Sequence, residues 1–139
     1  VVAFSGGFTM MTDIVGDRLG LDATHANDLE VLDGRLTGRL TGRVVDRARK
    51  GELLGELASQ AGIPLEQTVA VGDGANDLDM LGRAGLGIAF NAKTVLREVA
   101  DAAISVPYLD VVLFLLGVGR SDVERERLTR VDPPPAEFS

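Results

Sequence analysis

The sequence predicts an α/β protein with a doubly wound parallel sheet, and three features carry that prediction. The apolar runs Val1 to Phe4, Thr68 to Val71, Leu86 to Phe90 and Ala102 to Ser105 are continuous rather than alternating, as strands covered on both faces require. Between them lie segments whose apolar residues recur at three- and four-residue spacing, the period of a helix with one buried face. Glycine, proline or an Asn/Asp cluster punctuates the changes of period. Strands alternating with helices specify a parallel sheet with ligands at the carboxyl ends of its strands, so chemistry is to be sought there.

In chain order, Val1 to Phe4 reads as a buried strand ending in a tight turn at Ser5-Gly6-Gly7. Thr9 is placed to cap a helix in which Met10, Met11, Ile14, Val15 and Leu19 form the apolar face, and Gly20 to end it. Leu29 to Leu40 has alternating apolar positions around Asp33-Gly34, a pair suited to the positive φ angles of a hairpin turn. Gly-Arg-Leu-Thr occurs at Gly34 and again at Gly38, a repeat short enough to be strand chemistry. Asp46 to Ala61 is the clearest helix, with a stripe of Leu53, Leu54, Leu57, Ala58 and Ala61 stopped by Gly62 and Pro64. Leu78 to Ala84 and Thr94 to Ala100 read as helices flanking the strand Leu86 to Phe90, and Asp110 as the cap of a last apolar helix through Leu116. Residues 1–118 are expected to form one partial core. Residues 119–139, charged and ending in Pro133-Pro134-Pro135, are expected to be a disordered tail.

Composition narrows the function classes. The chain has 139 residues, 45% of them hydrophobic, enough for one core and too few for a second domain. A formal net charge of -7 disfavours nucleic acid and anionic membranes as partners, since both need Lys/Arg patches. The longest apolar run, Val111 to Val118, is far short of the roughly 20 residues of a membrane span. With no cysteine there are no disulfides or thiolate metal sites, in keeping with a reducing cytoplasm. A soluble, cytoplasmic protein is expected. The chain opens at Val1 inside an apparent strand, and an N-terminal part of a longer protein is expected upstream.

The strongest chemical signal is Val69-Ala70-Val71-Gly72-Asp73-Gly74-Ala75-Asn76-Asp77, where an apolar strand runs directly into two aspartates. Two carboxylates gathered at a strand end repel unless a hard dication such as Mg²⁺ compensates them, and Gly72 and Gly74 permit close approach. A polar strand-to-helix turn uses the same residue types and remains the alternative. A calcium loop counted from Asp73 fails, because Leu78 stands where Gly is required and Ala84 where Glu is required. Ser5, with the Gly6 and Gly7 amides, could receive a phosphate, although such a triplet is also an ordinary turn. Lys50 lies near the start of the Asp46 helix, off the apolar stripe, where its ammonium could reach a phosphoryl group or simply be solvated. His25, the only histidine, has no matching partner and receives no role.

Taken in order, Ser5-Gly6-Gly7-Phe8, Lys50 within Arg49-Lys50-Gly51-Glu52-Leu53-Leu54, and Gly72-Asp73-Gly74-Ala75-Asn76-Asp77 resemble the second, third and fourth motifs of haloacid dehalogenase-like phosphatases. The wording is similar to that of the phosphoserine phosphatases, and the likeness runs from Val1 to about Gly117. The resemblance implies a Rossmann-like core. It implies that Ser5 and the Gly6 amide bind phosphoryl oxygens and that Lys50 neutralises charge on nucleophile and phosphate. It further implies that Asp73 ligates Mg²⁺, that Asp77 orients or helps hold the metal, and that Asn76 contacts phosphate or positions Lys50. The implied reaction is hydrolysis of O-phosphoserine, the last step of serine biosynthesis, through an aspartyl-phosphate.

The family's first motif, Asp-x-Asp-x-Thr on a central strand, and its helical cap are both missing from these residues; Asp77-Leu78-Asp79-Met80-Leu81 comes nearest and lacks the Thr. This chain alone is therefore expected to bind Mg²⁺ weakly, to hydrolyse nothing, and to fold poorly with two inner strand edges exposed. The nucleophile is expected from a missing N-terminal segment or from another chain, a homodimer partner included. Another phosphomonoesterase of the superfamily and a non-catalytic binding module are the alternatives.

Overall fold

The computed structural model describes residues 1–129. Strands β1 (Val2–Phe8), β2 (Ala23–Leu32), β3 (Arg35–Thr41), β4 (Val69–Gly72), β5 (Leu86–Phe90) and β6 (Ala102–Ile104) are joined by helices α1 (Thr9–Leu19), α2 (Arg47–Gln60), α3 (Leu78–Arg83) and α4 (Thr94–Arg97). Short 3-10 turns lie at Leu65–Gln67 and Ala75–Asp77, and α5 (Val111–Leu115) and α6 (Arg120–Thr129) follow. Two compact units divide the chain, Val1–Ser105 and Val106–Ser139, whereas the sequence reading set its boundary after residue 118.

Local chemistry explains the element ends. Asp46 caps α2 by accepting the Arg49 N–H at 2.8 Å. Gly20 closes α1 at φ 63°, and Asp33 and Gly34 turn the β2–β3 hairpin at φ 50° and 74°. Thr9, expected as a cap, instead begins α1 and donates its hydroxyl to Asp28 at 2.6 Å. On the surface of α2, Arg49 holds the Glu56 carboxyl below the usual range through a two-pronged ion pair.

The expected parallel α/β core is present, in two three-stranded halves. β4, β5 and β6 pair in parallel in the order β4-β5-β6. β1 pairs parallel with β2, which turns back antiparallel to β3. Among the described residues β1 and β4 each have one ladder neighbour, and burial follows from that. Central β5 is buried at Gly87, Ile88 and Ala89, as its continuous apolar run predicts. Edge strand β4 leaves Val69 exposed and β1 leaves Val2 exposed, although both read as buried strands. The halves share a core, since Phe4 of β1 packs on the cluster of Ala70, Met80, Leu81, Ala89 and Leu96.

Two further expectations are corrected. The apolar residues of α1 do not face a core: Met10, Met11, Ile14, Val15 and Leu19 are all exposed, and only Gly16 is buried, where an added Cβ would lie 2.7 Å from Thr24. No described element covers that face. Helix α6 occupies Arg120–Thr129, within the stretch expected to be disordered. An Arg120–Glu124 pair at 3.0 Å supports it, and Asp122 accepts the Gly119 N–H at its start. The remaining tail residues, 130–139, lie outside those described. No described helix is long and apolar enough to cross a membrane.

The fully buried Ile88 should be the least replaceable side chain of β5. Ile88→Ala is expected to cost about 2–5 kcal/mol in urea unfolding, whereas Val95→Ala on exposed α4 should stay within about 0.5 kcal/mol.

Candidate functional site

The site grows from the C-terminal end of β4. Val69 to Gly72 delivers the chain to Asp73, and the 3-10 turn Ala75–Asp77 folds Asp77 back beneath the strand end. Asp77 Oδ2 accepts the N–H groups of Asp73 at 3.2 Å and Gly74 at 3.3 Å, which closes the turn. A Cβ on Gly72 would sit 2.5 Å from the Asp77 Cβ, so only glycine leaves room for this carboxylate. The other oxygen, Oδ1, accepts from Lys50 Nζ at 2.7 Å. Both side chains of that pair are more than nine-tenths buried, at 6% and 7% exposure.

Lys50 was expected off the apolar stripe of its helix. In fact it precedes Leu53, Leu54 and Leu57 by three, four and seven residues, places it on the same face, and is buried there. An ammonium can occupy that place only with a counter-charge, and Asp77 provides it. Both Asp77 oxygens are thus engaged, Oδ1 by Lys50 and Oδ2 by the turn amides. Asn76, expected to contact phosphate or position Lys50, is exposed on the β4 turn, and the hydrogen-bond partner of Lys50 is Asp77. Asp73 is exposed at the strand end, and among the described residues its carboxylate has neither a hydrogen-bond nor an ion-pair partner.

On the other sheet half, β1 continues through Ser5-Gly6-Gly7 to Phe8 with a register shift after Phe4, where a tight turn was expected. Ser5 Oγ accepts the Gly7 N–H at 3.0 Å, and Gly6 is exposed. The sequence reading did not single out Asn27, a buried residue of β2. Its Nδ2 donates to the Gly6 carbonyl at 3.0 Å, and its Oδ1 accepts the Val45 N–H at 2.7 Å, just ahead of α2. An Asn inside a strand, where it is disfavoured, was the available signal. Bonded steps thus run from Gly6 through Asn27 to Val45 and α2, and from Lys50 through Asp77 to Asp73. An open cleft of about 500 Å³ lies to one side, lined by Arg47, Glu52, Asp79 and Arg83 and by none of these groups. His25 packs its ring edge on Phe4, centroids 5.7 Å apart, with Nε2 buried and without a hydrogen-bond partner.

The donor set can be tested against a metal. No group of three acidic or imidazole side chains gathers among the described residues. One open carboxylate remains, Asp73, together with glycines and main-chain amides. Mg²⁺ keeps several waters and takes one or two carboxylates beside substrate phosphate, so Asp73 fits part of such a shell. An ammonium has three N–H donors, and among the described residues Lys50 gives one, to Asp77.

A parallel core with a buried Lys–Asp ion pair and an open aspartate at a strand's carboxyl end is an α/β architecture with its charged groups where such sheets bind ligands. Residues 44–114, about half of the chain, match the haloacid dehalogenase-like hydrolases, and the chain belongs to that family. It is 63% identical over 120 residues to a phosphoserine phosphatase of Streptomyces coelicolor, covering 86% of this chain and 29% of that protein. Among solved structures, the unliganded probable phosphoserine phosphatase of Vibrio cholerae superposes with a TM-score of 0.80 at 37% identity, over 95% of this chain and 40% of that one. A phospho-aspartyl intermediate analogue of a phosphoserine phosphatase matches with a TM-score of 0.77 at 48% identity, over 83% of this chain and 55% of that one. The chain thus spans roughly a third to a half of the length of these relatives.

Breaking the buried pair should be far worse than removing it. Lys50→Met is expected to cost about 3–5 kcal/mol by leaving Asp77 buried and unpaired, and Lys50→Met with Asp77→Leu should recover most of that loss in a double-mutant cycle of denaturant midpoints.

Proposed function

We propose that this chain is the phosphate- and metal-binding portion of a Mg²⁺-dependent phosphoserine phosphatase, acting in the cytoplasm on O-phospho-L-serine. The observation that carries the reading is the buried Lys50–Asp77 pair, whose carboxylate also holds the main-chain N–H of Asp73 at the end of β4. The 63% identity to a phosphoserine phosphatase and the likeness to the phospho-aspartyl analogue support the substrate and the covalent route.

Each group of this chain has a role within that reaction. Ser5 and the Gly6 amide receive phosphoryl oxygens, with Asn76 as a further contact from the β4 turn. Lys50, fixed by Asp77, directs its remaining N–H donors at the phosphate and lowers the cost of bringing an anionic nucleophile to an anionic ester. Asp73 holds Mg²⁺, and Asp77 orients the metal or helps hold it. When bound, the metal supplies charge neutralisation for the phosphoryl oxygens. An aspartate from a segment outside these residues, or from a partner copy, attacks phosphorus, a second acid protonates the departing serine oxygen, and water then frees phosphate.

In the full-length protein, Asp73→Asn should reduce Mg²⁺-dependent release of phosphate from O-phosphoserine by roughly a hundredfold or more, and unchanged turnover would remove Asp73 from the site. A panel of phosphomonoesters should show O-phosphoserine preferred by kcat/KM; preference for another ester would keep the chemistry and replace the substrate. The coding sequence ahead of Val1 should carry Asp-x-Asp-x-Thr roughly 80–100 residues before Ser5, the space a small cap domain needs. A stop codon there would instead favour a non-catalytic binding module.

A further inference from the structure

Among the described residues three polar or charged side chains are buried, Asn27, Lys50 and Asp77. Two form the ion pair of the site. We propose that the third, Asn27, is a positioning residue that sets the Ser5-Gly6-Gly7 phosphate-binding segment at a fixed distance from the helix carrying Lys50. The inference rests on the phosphatase reading above and adds to it a residue that touches neither substrate nor metal.

The geometry is specific. The Asn27 amide has one orientation only: its NH₂ must face the Gly6 carbonyl and its oxygen the Val45 N–H, because the reverse would set donor against donor and acceptor against acceptor. The two groups it joins lie on segments that no ladder connects. Gly6 is on the open-edge strand β1 and lies against Val45, with the place of a Cβ in ordinary contact at 3.8 Å from the Val45 carbonyl oxygen. Val45 is itself buried and immediately precedes Asp46, the cap of α2, whose carbonyl accepts the Lys50 N–H at 3.0 Å. From Gly6 to Lys50 the path therefore consists of two side-chain hydrogen bonds, a capped helix start and one helical turn. Rotating or withdrawing the amide frees the phosphate-binding segment from the helix, and errors on the order of 1 Å between groups that grip one phosphoryl can cost about a hundredfold in rate.

A side chain that only satisfies two buried main-chain groups would affect folding and nothing else, so the test separates the two roles. Asn27→Ala removes both bonds; Asn27→Asp keeps size and the acceptor for Val45 but sets a carboxylate against the Gly6 carbonyl, and it carries the test if the alanine variant does not fold. Both are measured in the full-length protein at a temperature where circular dichroism shows the variant folded. The expected result is a fall in kcat of roughly ten- to a hundredfold with KM little changed, accompanied by faster amide hydrogen exchange at Gly6 and Gly7 and unaltered exchange in β5. Folded variants with wild-type kcat, or with kcat lowered only in proportion to the folded fraction, would overturn the proposal and leave the phosphatase reading intact. A wild-type protein that hydrolyses another phosphomonoester overturns the substrate alone, and the same comparison is run on that ester. A wild type with no phosphatase activity overturns both.

Discussion

The structure depends on a lysine ammonium buried against a single carboxylate. Lys50 and Asp77 come from elements 27 residues apart in the chain, and they meet at 2.7 Å in surroundings that exclude water. Neither charge would be tolerated there alone. The pair therefore dictates that α2 dock its start on the β4 turn, that residue 72 lack a side chain, and that Asp77 curl back to hold the amides of Asp73 and Gly74. A second, more exposed pair, Arg47 to Asp79, joins α2 to α3 at 2.6 Å and adds little by itself. Packing and electrostatics here have one solution, and it leaves one open carboxylate at the end of a strand.

The rest of unit Val1–Ser105 is arranged around that corner in two halves. β5 is walled in on both sides, while β1 and β4 each have one paired edge and half-exposed apolar side chains. The apolar face of α1 is uncovered as well. These features are of one kind: surfaces of continuous apolar character whose counterparts are not among the described residues. They agree with a chain that spans 29% of its Streptomyces coelicolor relative. Phe4 joins the halves through the shared core, and Asn27 ties β1 to the segment that leads into α2 by hydrogen bonds.

Much of this was legible in the residues. The helices around Asp46 and Leu78, the hairpin at Asp33-Gly34, the strand Leu86 to Phe90 and the glycine stops follow from period and backbone conformation, which are local properties. The order of the Ser5, Lys50 and Asp73 segments pointed to the family. What escaped was set by partners distant in sequence. Lys50 was placed off the stripe because charge normally means exposure, and only Asp77 reverses that rule. Ala23 to Asp28 mixes polar and apolar residues and was assigned no element; its pairing with β1 makes it strand. Asn27 was not singled out, since its neighbours in sequence do not show that Gly6 and Val45 are its partners.

The account stands or falls on whether the corner after β4 receives a metal and a phosphate together. The most direct measurement is a crystal structure of the full-length protein soaked with MgCl₂ and inorganic phosphate. The account predicts a magnesium ion about 2.0–2.1 Å from an Asp73 carboxylate oxygen, with phosphate oxygens within hydrogen-bond reach of Lys50 Nζ and Ser5 Oγ while Asp77 stays on Lys50. Phosphate bound elsewhere with Asp73 left free, or a Lys50 that remains sealed from it, would contradict the account.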